Sequence, residues 1–187
     1  MKLFDVYKLM DIELVRGQGC FLFDKRGNQY LDFYGGHAVI SIGHSHPHYV
    51  NKITEQLKNL GFYSNSIINP LQEELAEKLG ELSGYTSYHL FLCNSGAEAN
   101  ENALKLASFF NQRKKVIVIT NAFHGRTGGV VSFTNNPKII APFNQTENVA
   151  YVALNDMESL ASQMDETVCA IILEGIQGIA GIYEIEL

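Results

Sequence analysis

The stretch "YHLFLCNSGAEANENALKLA", Tyr88–Ala107, decides how this chain is read. "YHLFL" has the apolar character of a strand and "EANENALKLA" that of a helix. The small residues Ser95, Gly96 and Ala97 sit where one becomes the other. Such a loop presents backbone N–H groups at a helix start, where the dipole favours an anion, and phosphate is the first candidate. It is no Walker loop, since no Gly-Lys-Ser/Thr closes it, and it lacks the G-x-G-x-x-G of a dinucleotide fold. The plainer reading is a helix start with Asn94 or Ser95 as N-cap and small residues that pack closely on a sheet. Spacing alone leaves both readings open.

Downstream, "KKVIVIT", "VAYVAL" and "VCAIILE" are further short apolar runs, with helical stretches between the first two and the last two of the four runs. Buried, largely parallel strands with crossover helices fit this pattern. Upstream, Leu14 to Tyr34 alternates apolar stretches with the glycine turns "RGQG" and "KRGN", as a small antiparallel meander does. Val50, Ile53, Leu57 and Leu60, then Leu71, Leu75, Leu79 and Leu82, recur at helical spacing and predict two amphipathic helices. The expected organisation is therefore an N-terminal segment over 1–83 and the first half of an α/β domain over 84–187.

With 187 residues, 46% hydrophobic and 18% charged, the chain is globular in character. A formal charge of −6 with scattered Lys and Arg offers no basic stripe for a nucleic acid. Cys20, Cys93 and Cys169 are too widely spaced and too few for a disulfide framework or a zinc cluster. The start, "MKLFDVYKLMDIELVRG", reads as neither signal peptide nor membrane span, so the cytoplasm is the expected location.

A second loop, "NAFHGRTGG", Asn121–Gly129, follows the next strand at its carboxyl end, where open α/β sheets bind ligands. Two such loops on neighbouring strands make one site. There Phe123 either stacks on a planar ring or packs into the core. Arg126 either grips a carboxylate through its two-pronged fork or is a solvated surface residue. "ILEGIQG" places Glu174 and Gln177 at the same sheet edge, as site residues or as ordinary strand-end polar groups. His44, His46 and His48 in "GHSHPHY" suggest a metal, but Pro47 looks like the first residue of a helix and would splay the rings; helix start and capping is the better reading, and no metal is expected.

The segments "VRGQGCFLFDKRGNQYLDFYGG", "GHSHP", "NSGAEANENALKLA", "FHGRT" and "EGIQG" resemble, in order and over nearly the whole chain, the class III pyridoxal-phosphate-dependent aminotransferases, in particular the acetylornithine aminotransferase branch. The resemblance implies an α/β fold of the aspartate-aminotransferase-like type (fold type I). Residues 84–187 would be an incomplete large domain, preceded by a small-domain segment. It implies that Ser95, Gly96 and Ala97 receive the phosphate of pyridoxal 5'-phosphate, and that Phe123 lies on its ring with His124 beside it. Glu174 would support the cofactor from the ring side, and Arg126 would hold the substrate α-carboxylate. The implied reaction moves an amino group from an N-acylated ornithine, acetyl or succinyl, to 2-oxoglutarate in arginine biosynthesis, in a homodimer.

Two departures stand out. Gly175 replaces the family's usual proline, and Ile179 replaces the glutamate that normally pairs with a distant arginine to switch the pocket between substrates. His37 lies near the implied substrate entrance, as a reader of the substrate's distal group or as an incidental loop residue. The family's ring-nitrogen aspartate and Schiff-base lysine have no counterpart among these residues: Lys105, Lys114 and Lys115 stand in the wrong contexts and read as solvated. The expectation is an amino-terminal half that is inactive alone, with a non-catalytic phosphate-binding module or an inactive fragment as the alternative.

Overall fold

A computed structural model describes residues 1–186, in two compact units, residues 1–86 and the residues from Ser87 onward. In the first, β1 (Leu14–Gln18), β2 (Phe21–Asp24) and β3 (Gln29–Leu31) pair antiparallel in that order, as the glycine-punctuated meander predicts. Asp24 is the one buried residue of this unit among those described, so a polar hub holds the meander where an apolar core is missing. Its carboxylate accepts from the backbone N–H groups of Arg26 and Asn28 at 2.9 and 2.8 Å, and from Asn28 Nδ2 and the Tyr30 hydroxyl, each at 2.8 Å.

The Asn28 side-chain amide leads these donors in holding Asp24 at about 2, below its ordinary 3.8, against the upward push of burial. A depressed carboxyl contributes stability that is complete above about pH 4 and is lost as the pH falls toward the folded value. The Asn28 amide proton shift should therefore titrate with a midpoint near 2, and Asp24→Asn should abolish that titration. A midpoint near 3.8 would count against the hub.

A single turn, α1 (Gly35–Ala38), follows, with Gly36 and His37 in the left-handed region. The helices α2 (Pro47–Asn59) and α3 (Pro70–Ser83) each open on proline, whose missing N–H costs nothing in a first turn. Asn69 caps α3 by accepting from Leu71 N–H at 3.1 Å, and left-handed Gly84 ends it. His44 Nε2 lies 2.7 Å from Asp32 Oδ2, and His44 exchanges two backbone hydrogen bonds with Gly19. No three His, Cys, Asp or Glu side chains among the described residues are placed to hold a metal. The apolar stripes of Val50, Ile53 and Leu57 on α2 and of Leu71, Leu75 and Leu79 on α3 are exposed.

In the second unit, α4 (Gly96–Asn111) precedes β4 (Lys115–Ile119), and β5 (Val149–Val152), α5 (Met157–Gln163) and β6 (Val168–Ile172) complete a three-stranded parallel sheet of order β5-β4-β6. Central β4 is buried on both faces, the signature of a parallel strand covered by helices. Val116 and Val118 pack with Leu104 of α4, while Ile117 packs with Val152, Val168 and Leu160 of α5. The short β7 (Ile176–Gln177), α6 (Gly178–Gly181) and β8 (Tyr183–Glu184) close the described chain. No described helix is long and apolar enough to cross a membrane.

Two expectations need correction. "YHLFLCN" forms no strand: its apolar residues Tyr88, Leu90, Phe91 and Leu92 are exposed and no described strand pairs with them. A strand exists through its ladder, and apolar composition supplies the propensity without the partner. Lys115 is not a solvated lysine either: its Nζ donates to the Gln163 carbonyl at 2.8 Å and to Asp165 at 3.0 Å, pinning the start of β4 to the end of α5.

Candidate functional site

Ser95 is the N-cap of α4. Its backbone is extended, and its Oγ accepts from Glu98 N–H at 3.2 Å. Glu98 reaches back to accept from Asn94 N–H at 2.6 Å, one residue ahead of the cap, a shifted form of the capping box, which takes the N–H of the cap residue itself. This leaves the N–H groups of Gly96 and Ala97, in the first turn, with no intrahelical acceptor and at the positive end of a 16-residue helix. An ideal Cβ at Gly96 would meet no atom within 4 Å, so the space in front of this helix start is open.

The loop after β4 returns to the same place. Ser95, Gly96, Ala97 and Asn100 of the helix start and Phe123, His124, Gly125, Arg126 and Thr127 of the loop line one open cleft of about 550 Å³. Six of the seven sequence-predicted site residues are thus brought together. Phe123 is half-buried, His124 buried and Arg126 exposed. Burial pushes the His124 imidazole below its ordinary range, and the nearby Glu174 charge opposes this only in part. His124 is therefore neutral near pH 7, and its buried Nε2 has no hydrogen-bond partner among the described residues.

Glu174, two residues past the end of β6, is not among the residues lining the cleft. One carboxylate oxygen accepts from Phe123 N–H at 2.8 Å and the other from Gly178 N–H at 3.2 Å, so it ties the two sheet-edge loops together. Gln177, 2% exposed, reinforces this edge by donating to the Thr120 carbonyl at 2.8 Å. Ile179 is exposed on α6, and Gly175 is exposed just before β7.

Three residues of this site escape a reading by motif. Asn100 donates to the His124 carbonyl at 2.9 Å. Thr134 accepts from His124 N–H at 3.0 Å and donates to the Gly125 carbonyl at 2.9 Å. Glu101 accepts from Thr127 Oγ1, Gly129 N–H and Val130 N–H at 2.7, 2.7 and 3.2 Å. The available signal was helical spacing: Glu101 falls with Ala97, Leu104 and Ser108 on the half-buried face of α4, an unusual place for a carboxylate without work to do there.

The family model "Aminotransferase class-III" matches residues 5–186. The chain belongs to the class III aminotransferases. Among similar class III proteins, acetylornithine aminotransferase of Archaeoglobus fulgidus is 43% identical over 178 residues, which are 95% of this chain and 47% of that one. That of Lactococcus lactis is 41% identical over 98% of this chain and 48% of its own length. Among solved structures, an ornithine aminotransferase from Toxoplasma gondii, described as holding PLP at partial occupancy at its active site, superposes with a TM-score of 0.88 at 27% identity. It is matched over 97% of this chain and 45% of its own. The chain spans about half the length of the relatives it matches.

Proposed function

We propose that this chain supplies the cofactor-binding part of a pyridoxal-phosphate-dependent aminotransferase. Its amino donor is an N-acylated ornithine, acetyl or succinyl, its acceptor is 2-oxoglutarate, and its setting is cytoplasmic arginine biosynthesis in a homodimer. The observation that carries this reading is the single cleft that gathers the α4 start, the Phe123 ring and Arg126. Kinship with acetylornithine aminotransferases supports the substrate.

The residues present fit the cofactor. A phosphate needs convergent N–H donors and room, and the Gly96 and Ala97 amides with the open face of Gly96 provide both. A pyridine ring needs an aromatic face, which Phe123 offers in the lining of the same cleft. Neutral His124 adds bulk and no charge beside that ring. When bound, pyridoxal phosphate supplies the electron sink for amino-group transfer. Arg126, which lines the cleft, is of the type that binds a carboxylate through two parallel hydrogen bonds, and Glu174 fixes the height of Phe123 by holding its N–H.

In the whole protein, Arg126→Lys should lower kcat/KM for N-acetylornithine roughly tenfold or more while leaving cofactor affinity within about twofold, because lysine keeps the charge and loses the fork. Unchanged kinetics would remove Arg126 from the carboxylate site.

A further inference from the structure

Cofactor and substrate groups at this cleft sit on two separate pieces of chain: the anion-binding amides on α4, and Phe123 and Arg126 on the loop after β4. Their spacing is useful only if helix and loop are held in one register. Glu101 stands about one and a half turns into α4 and is half-buried. A single oxygen of its carboxylate, Oε1, takes all three donors from the far end of the loop, Thr127 Oγ1, Gly129 N–H and Val130 N–H. None of the ion pairs among the described residues involves Glu101, so these donors carry its charge. The fit at Gly129 is close, since an ideal Cβ there would lie 2.6 Å from Glu101 Oε2. Asn100, next to it, holds the near end of the loop through the His124 carbonyl.

We propose that Glu101 is a positioning residue that locks the Phe123–Arg126 loop to the helix bearing the anion-binding amides, and so sets the span between phosphate and ring. This rests on the cofactor reading above and adds a residue that touches neither cofactor nor substrate. Burial alone would push its carboxyl upward, but the hydrogen bonds from Thr127, Gly129 and Val130 outweigh that and keep it ionised at neutral pH. The strap is therefore charge-assisted, the stronger kind.

The lock separates two ligands. Inorganic phosphate uses only the helix start, whereas pyridoxal phosphate must satisfy the helix start and the loop together. In the whole protein, Glu101→Ala should weaken pyridoxal phosphate by about tenfold, with phosphate affinity unchanged within about twofold. Amide exchange at Gly129 and Val130 should speed up by about tenfold or more, with β4 amides unaffected. Glu101→Gln, which keeps an acceptor oxygen and loses the charge, should fall between wild type and Glu101→Ala on both scales. Equal weakening of phosphate and pyridoxal phosphate, or exchange at Gly129 and Val130 that stays at the wild-type rate, would overturn the proposal. If the wild-type protein bound no pyridoxal phosphate, the cofactor reading would fail, and the exchange rates at Gly129 and Val130 would by themselves uphold or overturn the lock.

Discussion

Gly125→Val is expected to abolish pyridoxal-phosphate binding and to destabilise the α/β unit. Gly125 has φ +133, a region that side-chain-bearing residues scarcely enter, and its ideal Cβ would lie 2.6 Å from Ala97 Cβ, 2.8 Å from Val130 Cγ2 and 2.9 Å from Ala97 Cα. Two of those atoms belong to the first turn of α4, where the phosphate-binding amides are. The added atoms therefore have no flexible neighbour to push aside, and the loop must lift off the helix. Backbone strain of roughly 1–3 kcal/mol and overpacking of similar size add to a loss on the order of 4 kcal/mol. Lifting the loop also breaks the Thr134 hydrogen bond to the Gly125 carbonyl and moves Phe123 and Arg126 away from the cradle. Gly125→Ala should show most of the same loss, since the clash is already present at Cβ. Chemical unfolding and cofactor titration measure the two effects. Wild-type stability in Gly125→Ala would mean that the loop does not pack on α4 as described.

This contact also shows how far the sequence could be read. The β4 run is legible because a central strand covered on both faces must be apolar throughout, and the half-buried β5 and β6 runs are legible because they keep the same unbroken apolar character; each run is bounded by polar or turn residues. The helix start at Ser95 is legible because its capping signal, Ser95 and Glu98, is contained within four residues. The two cleft loops are legible as motifs. What holds them together is not, because Glu101 meets residues 26 to 29 positions away and Glu174 meets Phe123 at a separation of 51. A polar helix residue and a strap look the same until the loop's course is known. The same limit explains Tyr88–Asn94, where apolar character is local and the ladder partner is not. Glu174 illustrates the remaining case: the sheet edge was predictable, but the carboxylate is spent on two backbone amides and lies outside the cleft lining.

Gly96→Val should cost cofactor affinity about a hundredfold or more with little change in stability, the reverse of the balance at Gly125. Gly96 is the first residue of α4, does not have the left-handed φ that would require glycine, and offers its Cβ open space, so the helix accepts a side chain there. Gly96 is also one of the residues lining the cleft, so an added side chain there is expected to intrude on it. An isopropyl group would stand in front of the Gly96 and Ala97 amides and hold a phosphate beyond hydrogen-bond reach. Ser95→Ala makes the contrasting change. It removes the cap to Glu98 N–H and one hydroxyl, an effect of roughly 1 kcal/mol shared between stability and binding, while the amides stay accessible. Titration with pyridoxal phosphate and with inorganic phosphate should rank wild type, Ser95→Ala and Gly96→Val in falling affinity for both ligands, because both must reach the same amides. Equal affinities in Ser95→Ala and Gly96→Val would show that the phosphate does not bind at this helix start, and binding unchanged from wild type in Gly96→Val would place the anion elsewhere in the protein.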